Sequence, residues 1–383
     1  MSSPIEISDR HRTQLPQIDM PPRLLLGPGP SNAHPRVLAA LSLRQVGHLD
    51  PAFLSLMNES QDLLRYAWQT DNQITIPVSG TGSAAMEATL ANTVESGDVV
   101  LIGVKGYFGH RLVDMATRYG GDVRKLIKPW GESFNLDEIR QALETHRPKI
   151  LALVHAETST GVRQPLEGVG ELCRQYDCLL LVDTVTSLGG VPLFLDERGI
   201  DLAYSSSQQG LGCPPGIGPF TMSDRAVEKL HQRRSIVANW YLDMSLLTKY
   251  WGDERTYHHT APINMNYALR EALRLVAEEG LGARWERHRI NAELLWEGLE
   301  DLGLVCHVPK EHRLPTLTTV RIPDGVNGKA VTQKLLDRYN IEIGNGLGEL
   351  AGKVWRVGLM GYNSRPENVL LLLEALKRVL AEG

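Results

Sequence analysis

Cysteine is scarce in this sequence, long apolar runs are missing, and neither sign of charge dominates; each shortage removes a class of function. The four cysteines of 383 residues, Cys173, Cys178, Cys213 and Cys306, lie far apart except for one pair five positions apart. That spacing matches no metal or redox motif, so reduced, structural thiols are expected and no metal site is. No segment approaches the roughly 18 apolar residues of a membrane helix. The opening stretch to Asp19 mixes acids, Arg10-His11-Arg12 and prolines without an apolar core of signal-peptide length. The closing Ala381-Glu382-Gly383 carries no peroxisomal address. A cytoplasmic protein without a membrane partner is therefore expected. The formal charge of -5 and the want of basic runs interleaved with aromatics leave no field for nucleic acid.

What is present reads as a globular enzyme scaffold. Hydrophobic residues at 42% and charged residues at 22% are ordinary for a packed protein, and 383 residues exceed one small core. Strand-like runs fall at Ile74–Val78, Val99–Val104, Val123–Ile127, Ile150–His155, Leu179–Val185, Leu202–Ser205 and Pro219–Met222. Helical patterns separate several of them, which predicts a mostly parallel seven-stranded sheet covered on both faces. After Pro262 the pattern changes to long helices and short strands. The predicted organisation is an extended arm over 1–22, a large domain over 23–262 and a smaller α+β domain over 263–383.

Three segments carry candidate chemistry. Val78-Ser79-Gly80-Thr81-Gly82-Ser83 follows a strand and opens a helix. Small residues there let a backbone approach an anion, helix-start amides point at it, and two hydroxyls add donors. An ordinary capped strand-to-helix turn reads from the same residues. Leu179–Asp183 is a buried-type strand ending in a carboxylate, able to pair with a cationic ring nitrogen or simply to cap a turn. Ser205-Ser206-Ser207-Gln208-Gln209-Gly210 begins a short distance beyond it, at the end of a further strand.

Together these segments resemble the class V aminotransferases, specifically the alanine:glyoxylate and serine:pyruvate kind, over nearly the whole chain. The resemblance also runs through Leu24-Leu25-Leu26-Gly27-Pro28-Gly29-Pro30, His155-Ala156-Glu157-Thr158-Ser159-Thr160-Gly161, Tyr257-His258-His259-Thr260 and Trp355-Arg356-Val357-Gly358. It implies a fold-type I, pyridoxal-phosphate-dependent transferase working on a small amino acid and a 2-oxo acid as a homodimer with shared active sites. By position it makes Thr81, Gly82 and Ser83 a phosphate cup, Phe108 the aromatic stacked on the pyridine ring, and Thr158 a hydroxyl beside the ring oxygen. Asp183 becomes the pyridinium partner, Val185 a packing residue behind the ring, and Gln208 a further phosphate ligand. Tyr257 and Thr260 match residues that reach the neighbouring subunit's phosphate. Arg356 matches the bidentate grip on the substrate carboxylate, with Gly27 in the small neighbourhood that suits a short substrate. His258 and His259 are read as structural, not as metal ligands.

One position departs from the pattern: Gln209 stands where the family has its Schiff-base lysine. A carboxamide forms no imine and is no base at neutral pH. The cofactor, pyridoxal or pyridoxamine phosphate, is thus expected to be held without a covalent bond, and turnover to be impaired. Lys105 lies near Phe108 but in a different loop, so it is not expected to replace the missing amine. The competing readings are a non-catalytic binder of the same cofactor and a lyase built on a reactive cysteine. The second would need Cys213 on a mobile loop, yet Gly212 and Pro214-Pro215 flank it.

Overall fold

The structure, a computed structural model, describes residues 8–382. Its large sheet is formed by β1 (Ile74–Ser79), β2 (Val99–Val104), β3 (Asp122–Ile127), β4 (Ile150–Val154), β5 (Leu179–Asp183), β6 (Leu202–Tyr204) and β7 (Ile217–Met222). Across the sheet they run β1-β7-β6-β5-β4-β2-β3. Only β7 is antiparallel to its neighbours, pairing Phe220 with both Ile76 and Tyr204. The remaining ladders are parallel, as in Asp183 opposite both Val154 and Tyr204.

These strands are apolar on both faces because both faces are covered. Val100, Ile102, Leu179 and Leu181 enter one core cluster, while Leu101, Leu151, Leu180 and Val182 enter the other. Successive side chains of a strand point to opposite faces, so an unbroken apolar run is what a doubly covered sheet requires. Helices α1 (Pro51–Trp68), α2 (Gly82–Thr93), α3 (Tyr107–Arg118), α4 (Leu136–His146) and α5 (Val169–Gln175) belong to this part of the chain. Their ends are set locally. Asp50 caps α1 by accepting from the Ala52 amide, and Asn135 with Glu138 forms a reciprocal capping box on α4.

Helix α6 (Ile263–Glu279) differs from its expected place in the small domain. Its Ala268, Leu269, Ala272, Leu273 and Val276 join the core cluster that holds Leu180 and Val182, so its apolar stripe is buried in the large domain, chiefly against α1. The small domain follows, with α7 (Leu281–Asp301), α8 (Gly328–Tyr339) and α9 (Pro366–Ala381). Its three-stranded antiparallel sheet orders β8 (Leu317–Arg321), β10 (Val354–Gly358) and β9 (Gly344–Asn345), with β10 central. Leu304–Val308 makes only a bridge from Cys306 to Val320 beside β8. Leu26 joins this domain's core, and Leu24–Leu25 pairs in parallel with Ile341–Glu342. The segment Gly27–Pro30 thereby lies where the two domains meet.

Candidate active site

The strands β2, β4, β5 and β6 deliver their carboxyl ends to one rim, where open α/β sheets collect ligands. Beside it β1 turns into α2. Gly80 takes φ +147°, and a Cβ there would lie 2.7 Å from the Ala84 Cβ, so glycine is required for the turn. Thr81 is the N-cap but makes no side-chain cap bond. The Ala84 and Ala85 amides turn back to the Thr81 carbonyl, while the Gly82 and Ser83 amides, the first of the helix, have no backbone acceptor. A Cβ on Gly82 would meet the Ser206 Cβ at 2.7 Å, which brings the Ser205–Gln209 segment against the cradle. Arg111 Nη1 donates to Ser83 Oγ at 3.2 Å, while Ser206 Oγ and Gln208 Oε1 are buried with no partner. Helix-start amides, a guanidinium and an unspent hydroxyl fit a phosphate group. Arg111 and Ser206 were missed in the sequence because no motif marks them; the cradle contacts identify them.

At the end of β5, Asp183 is held from two sides. The Val185 amide donates to Oδ1 at 2.8 Å and the Tyr204 hydroxyl to Oδ2 at 2.7 Å. Burial pushes its carboxyl up to about 6, against the pull of those two bonds, so it is largely a carboxylate at pH 7. A buried carboxylate with spare lone pairs fits a protonated ring nitrogen. Val185 and Phe108 are half-buried against the same apolar cluster. Phe108 opens α3, its amide 3.4 Å from Glu157 Oε1, and the Arg111 guanidinium lies 4.7 Å from its ring centroid. Thr158 Oγ1 and Thr186 Oγ1 are 2.5 Å apart. Glu157 is fully buried and accepts from the Ser159 amide and hydroxyl. A Cβ on Gly106 would sit 2.3 Å from the Glu157 Cδ, so only glycine lets β2 pass into α3 over this carboxylate. Glu157 and Tyr204 carried no assigned role from the sequence, although Tyr204 ends a strand in register with Asp183.

The segment bearing Gln209 is tied down on several sides. Ser31 donates its amide to the Gln208 carbonyl and its hydroxyl to the Gln209 carbonyl, and Arg284 Nη2 donates to the Gly210 carbonyl at 2.6 Å. Gly29, at φ +99°, passes so close that a Cβ would lie 2.9 Å from both Cγ and Nε2 of Gln209. The Gln209 Oε1 is buried without a donor.

Opposite, β10 carries Arg356. Its Nε donates to the Asn345 carbonyl at 2.8 Å and Nη1 to the Thr158 carbonyl at 3.3 Å. Burial lowers its pKa and Glu157 opposes that shift. Five guanidinium hydrogens are available, so an edge remains for a carboxylate. Gly27 closes the same corner: a Cβ on Gly358 would lie 2.0 Å from its carbonyl oxygen. Tyr257 and Thr260 are not part of this chain's cradle. Both are exposed, Tyr257 at 58%, resting on the His48 ring at 5.2 Å. His258 stacks on Trp240 at 4.4 Å and contacts His259, whose Nε2 reaches Ser79 Oγ at 2.7 Å. Cys213 is fully buried, and burial pushes its thiol up to about 12, the opposite of a reactive nucleophile.

A doubly covered α/β sheet with an anion cradle at one helix start and a carboxylate at the next strand rim is the construction of fold-type I transferases that use pyridoxal phosphate. Comparison with known proteins narrows the class: this chain belongs to the class V aminotransferases, whose family pattern, Aminotransferase class-V, matches residues 28–369. The chain is similar to an alanine–glyoxylate aminotransferase from Nostoc sp., at 72% identity and a TM-score of 0.97, covering 98% of this chain and 100% of that one. Mouse (Mus musculus) alanine–glyoxylate aminotransferase is 47% identical, over 95% of this chain and 89% of its own. The (S)-ureidoglycine–glyoxylate transaminase of Bacillus subtilis is 40% identical, over 94% and 91% respectively. The chain is accordingly a pyridoxal-phosphate-dependent transaminase by family. Among the described residues no helix is long and apolar enough to cross a membrane.

Proposed function

We propose that this chain is built to move an amino group from a small L-amino acid, alanine or serine, to glyoxylate or pyruvate, and that Gln209 impairs its turnover. The observation that carries the substrate class is Arg356, a half-buried guanidinium tied to Thr158 in a corner narrowed by Gly27 and Gly344. A short 2-oxo acid or amino acid satisfies that arginine without needing further room. The names of the relatives, with glyoxylate in each, support the same reading.

When bound, the cofactor supplies an electron sink and a carrier for the amino group. The protein's part is divided among its own residues. Gly82, Ser83 and Arg111 would hold its phosphate, Asp183 would pair with its ring nitrogen, and Arg356 would orient the substrate carboxylate. A residue at position 209 would have to accept and return a proton at the substrate carbon. The Gln209 carboxamide cannot, and it offers no covalent anchor. Tyr257 and Thr260 point to a homodimer, because they are exposed in a neighbourhood that also exposes Ile236, Trp240 and Tyr241. A second copy would cover that surface and bring the two residues to its phosphate.

Gln209→Lys, assayed by mass spectrometry for amino transfer from each small amino acid to glyoxylate and pyruvate, tests this reading. Turnover with alanine or serine is the expected result. Covalent cofactor without any amino transfer would favour the alternative that Gln209 itself supports, a non-catalytic binder of pyridoxal or pyridoxamine phosphate.

A further inference from the structure

Helix α7 opens directly after the break at Gly280, and side chains of its opening turns reach back to both domains. Arg284, 5% exposed, uses its guanidinium in three directions. Nε donates to the Gly189 carbonyl at 2.8 Å, Nη2 to the Gly210 carbonyl at 2.6 Å and Nη1 to Glu279 Oε2 at 2.7 Å. Among the described residues it is the only donor to either carbonyl. Gly210 adjoins Gln209, and Gly189 lies in the loop that leaves Asp183 and Val185. The two segments touch: a Cβ on Gly189, at φ +78°, would lie 3.1 Å from the Gly210 oxygen. Their spacing is therefore set by one planar group.

Glu279 carries the connection onward. Its Oε1 accepts from Arg287 Nε at 2.6 Å and its Oε2 from Arg287 Nη2 at 3.0 Å. Burial opposes its charge, but the Arg287 bonds and the Arg284 charge hold the carboxyl down at about 2. Arg287 Nη1 in turn donates to the carbonyls of Gly361 and Ser364, at 3.0 and 2.6 Å. That turn follows β10, the strand of Arg356. His288 fixes it from the other side. Its Nδ1 lies 2.8 Å from the Arg284 carbonyl and must donate, which leaves Nε2 to accept from the Gly361 amide at 3.0 Å. A Cβ on Gly361, at φ +57°, would lie 3.0 Å from the Gly210 oxygen and 3.2 Å from the Gln209 oxygen, so the turn rests on the backbone of position 209. We propose that Arg284 is a positioning residue: it gauges side chain 209 and the loop beyond Asp183 against the strand of Arg356, so that the amine end of the site and the carboxylate grip meet one substrate at the right separation. The role is indirect, exerted through two backbone carbonyls and Glu279. The inference rests on the reading of position 209 and Arg356 given above.

The test is calorimetry on the cofactor-free full chain, with pyridoxamine phosphate added first and pyruvate second, in the parent, Arg284→Lys and Glu279→Gln. A lysine keeps the charge but cannot span two carbonyls and a carboxylate at once. Arg284→Lys is expected to hold pyridoxamine phosphate within about threefold of the parent and to bind pyruvate about tenfold more weakly, as a displaced grip would. Glu279→Gln leaves both carbonyl bonds in place and loosens the link to Arg287, so a loss of about threefold for pyruvate is expected. This arm decides the matter if the lysine variant does not fold. In the Gln209→Lys background, Arg284→Lys should lower kcat per bound cofactor and raise KM for alanine. A purely structural arginine would reduce the fraction of loaded sites and leave both constants of the loaded ones unchanged, a result that would overturn the role. An equal loss of both ligands would overturn it as well. Parent-like pyruvate binding in both variants would do the same and leave the cofactor reading standing. A parent that binds pyridoxamine phosphate but not pyruvate would overturn the Arg356 reading and this inference with it, and one that binds neither would overturn the cofactor reading too.

Discussion

The phosphate end of the candidate site and its amine end are built from neighbouring strand ends, yet they differ in kind. At the cradle, backbone does the work: Gly80 and Gly82 make room, the first amides of α2 have no backbone acceptor, and Arg111 is already bonded to Ser83. At position 209 the backbone is equally fixed, by Ser31 and Arg284, but the side chain it presents ends in an unpaired amide oxygen. A backbone-built half tolerates loss of a side chain; a half that depends on one nitrogen does not. On the proposed reading, binding and chemistry should therefore be separable in this chain, and mutations test that.

The largest effect should come from the amine end. Gln209→Lys should raise amino transfer by about 10² to 10⁴, the range general acid-base catalysis commonly supplies, and should let borohydride fix the cofactor to the protein. The unaltered chain should keep its mass under the same treatment. An equal mass gain in both would erase the contrast between the two ends.

Arg356→Ala should come next. Losing a charged, bidentate partner should cost about 2 to 5 kcal/mol in the binding of small amino and 2-oxo acids, with cofactor affinity nearly unchanged. Calorimetry with pyruvate and with pyridoxamine phosphate separates the two. Loss of the phosphate compound alone would assign Arg356 to the cradle.

Gly106→Ala probes the floor between the ends. The added methyl would lie 2.3 Å from the Glu157 Cδ and 2.6 Å from the Ser159 Oγ, so either the start of α3 or the carboxylate must move. Overpacking of this kind typically costs about 1 to 3 kcal/mol. Urea unfolding gives the stability loss, and a matching weakening of cofactor binding would show that Phe108, next on α3, moves with it.

How much of this could be read in the sequence follows from how local each signal is. The strands of the large sheet were legible because doubly buried strands need unbroken apolar runs such as Leu179–Val182, bounded by turn residues. The reversed direction of β7 was not, since a run such as Ile217–Met222 reads the same either way. The stripe on α6 announced a buried face without saying which core it would enter. The glycines and hydroxyls of the cradle were visible as a motif. Arg111, Ser206, Glu157 and Tyr204 were not, because their roles arise from register and burial between segments far apart in the chain. Lys105 shows the limit most clearly. A lysine in a loop looks like a surface residue, and only the fold shows it 1% exposed with its amine unpartnered.

The smallest effect examines the carboxylate that both ends share. Tyr204→Phe removes the 2.7 Å bond to Asp183 Oδ2 and little volume. A hydrogen bond to a charged group is worth about 1.5 to 3 kcal/mol and one to a neutral group about 1, so the loss should depend on the charge of Asp183. The folded carboxyl sits at about 6, above its ordinary 3.8. A carboxyl raised by folding gives its stability below the ordinary value and loses it as pH rises through the folded one. Removing the tyrosine hydroxyl, which pulls the carboxyl down, raises it further. The cofactor-free variant should thus be less stable than the parent by somewhat more at pH 7 than at pH 4, the gap narrowing as pH falls through about 6. Urea unfolding at the two pH values measures it. A gap that stayed constant would mean that Tyr204 acts by packing alone and that Asp183 is already neutral in the folded chain, which would remove the charge on which the ring-nitrogen assignment depends.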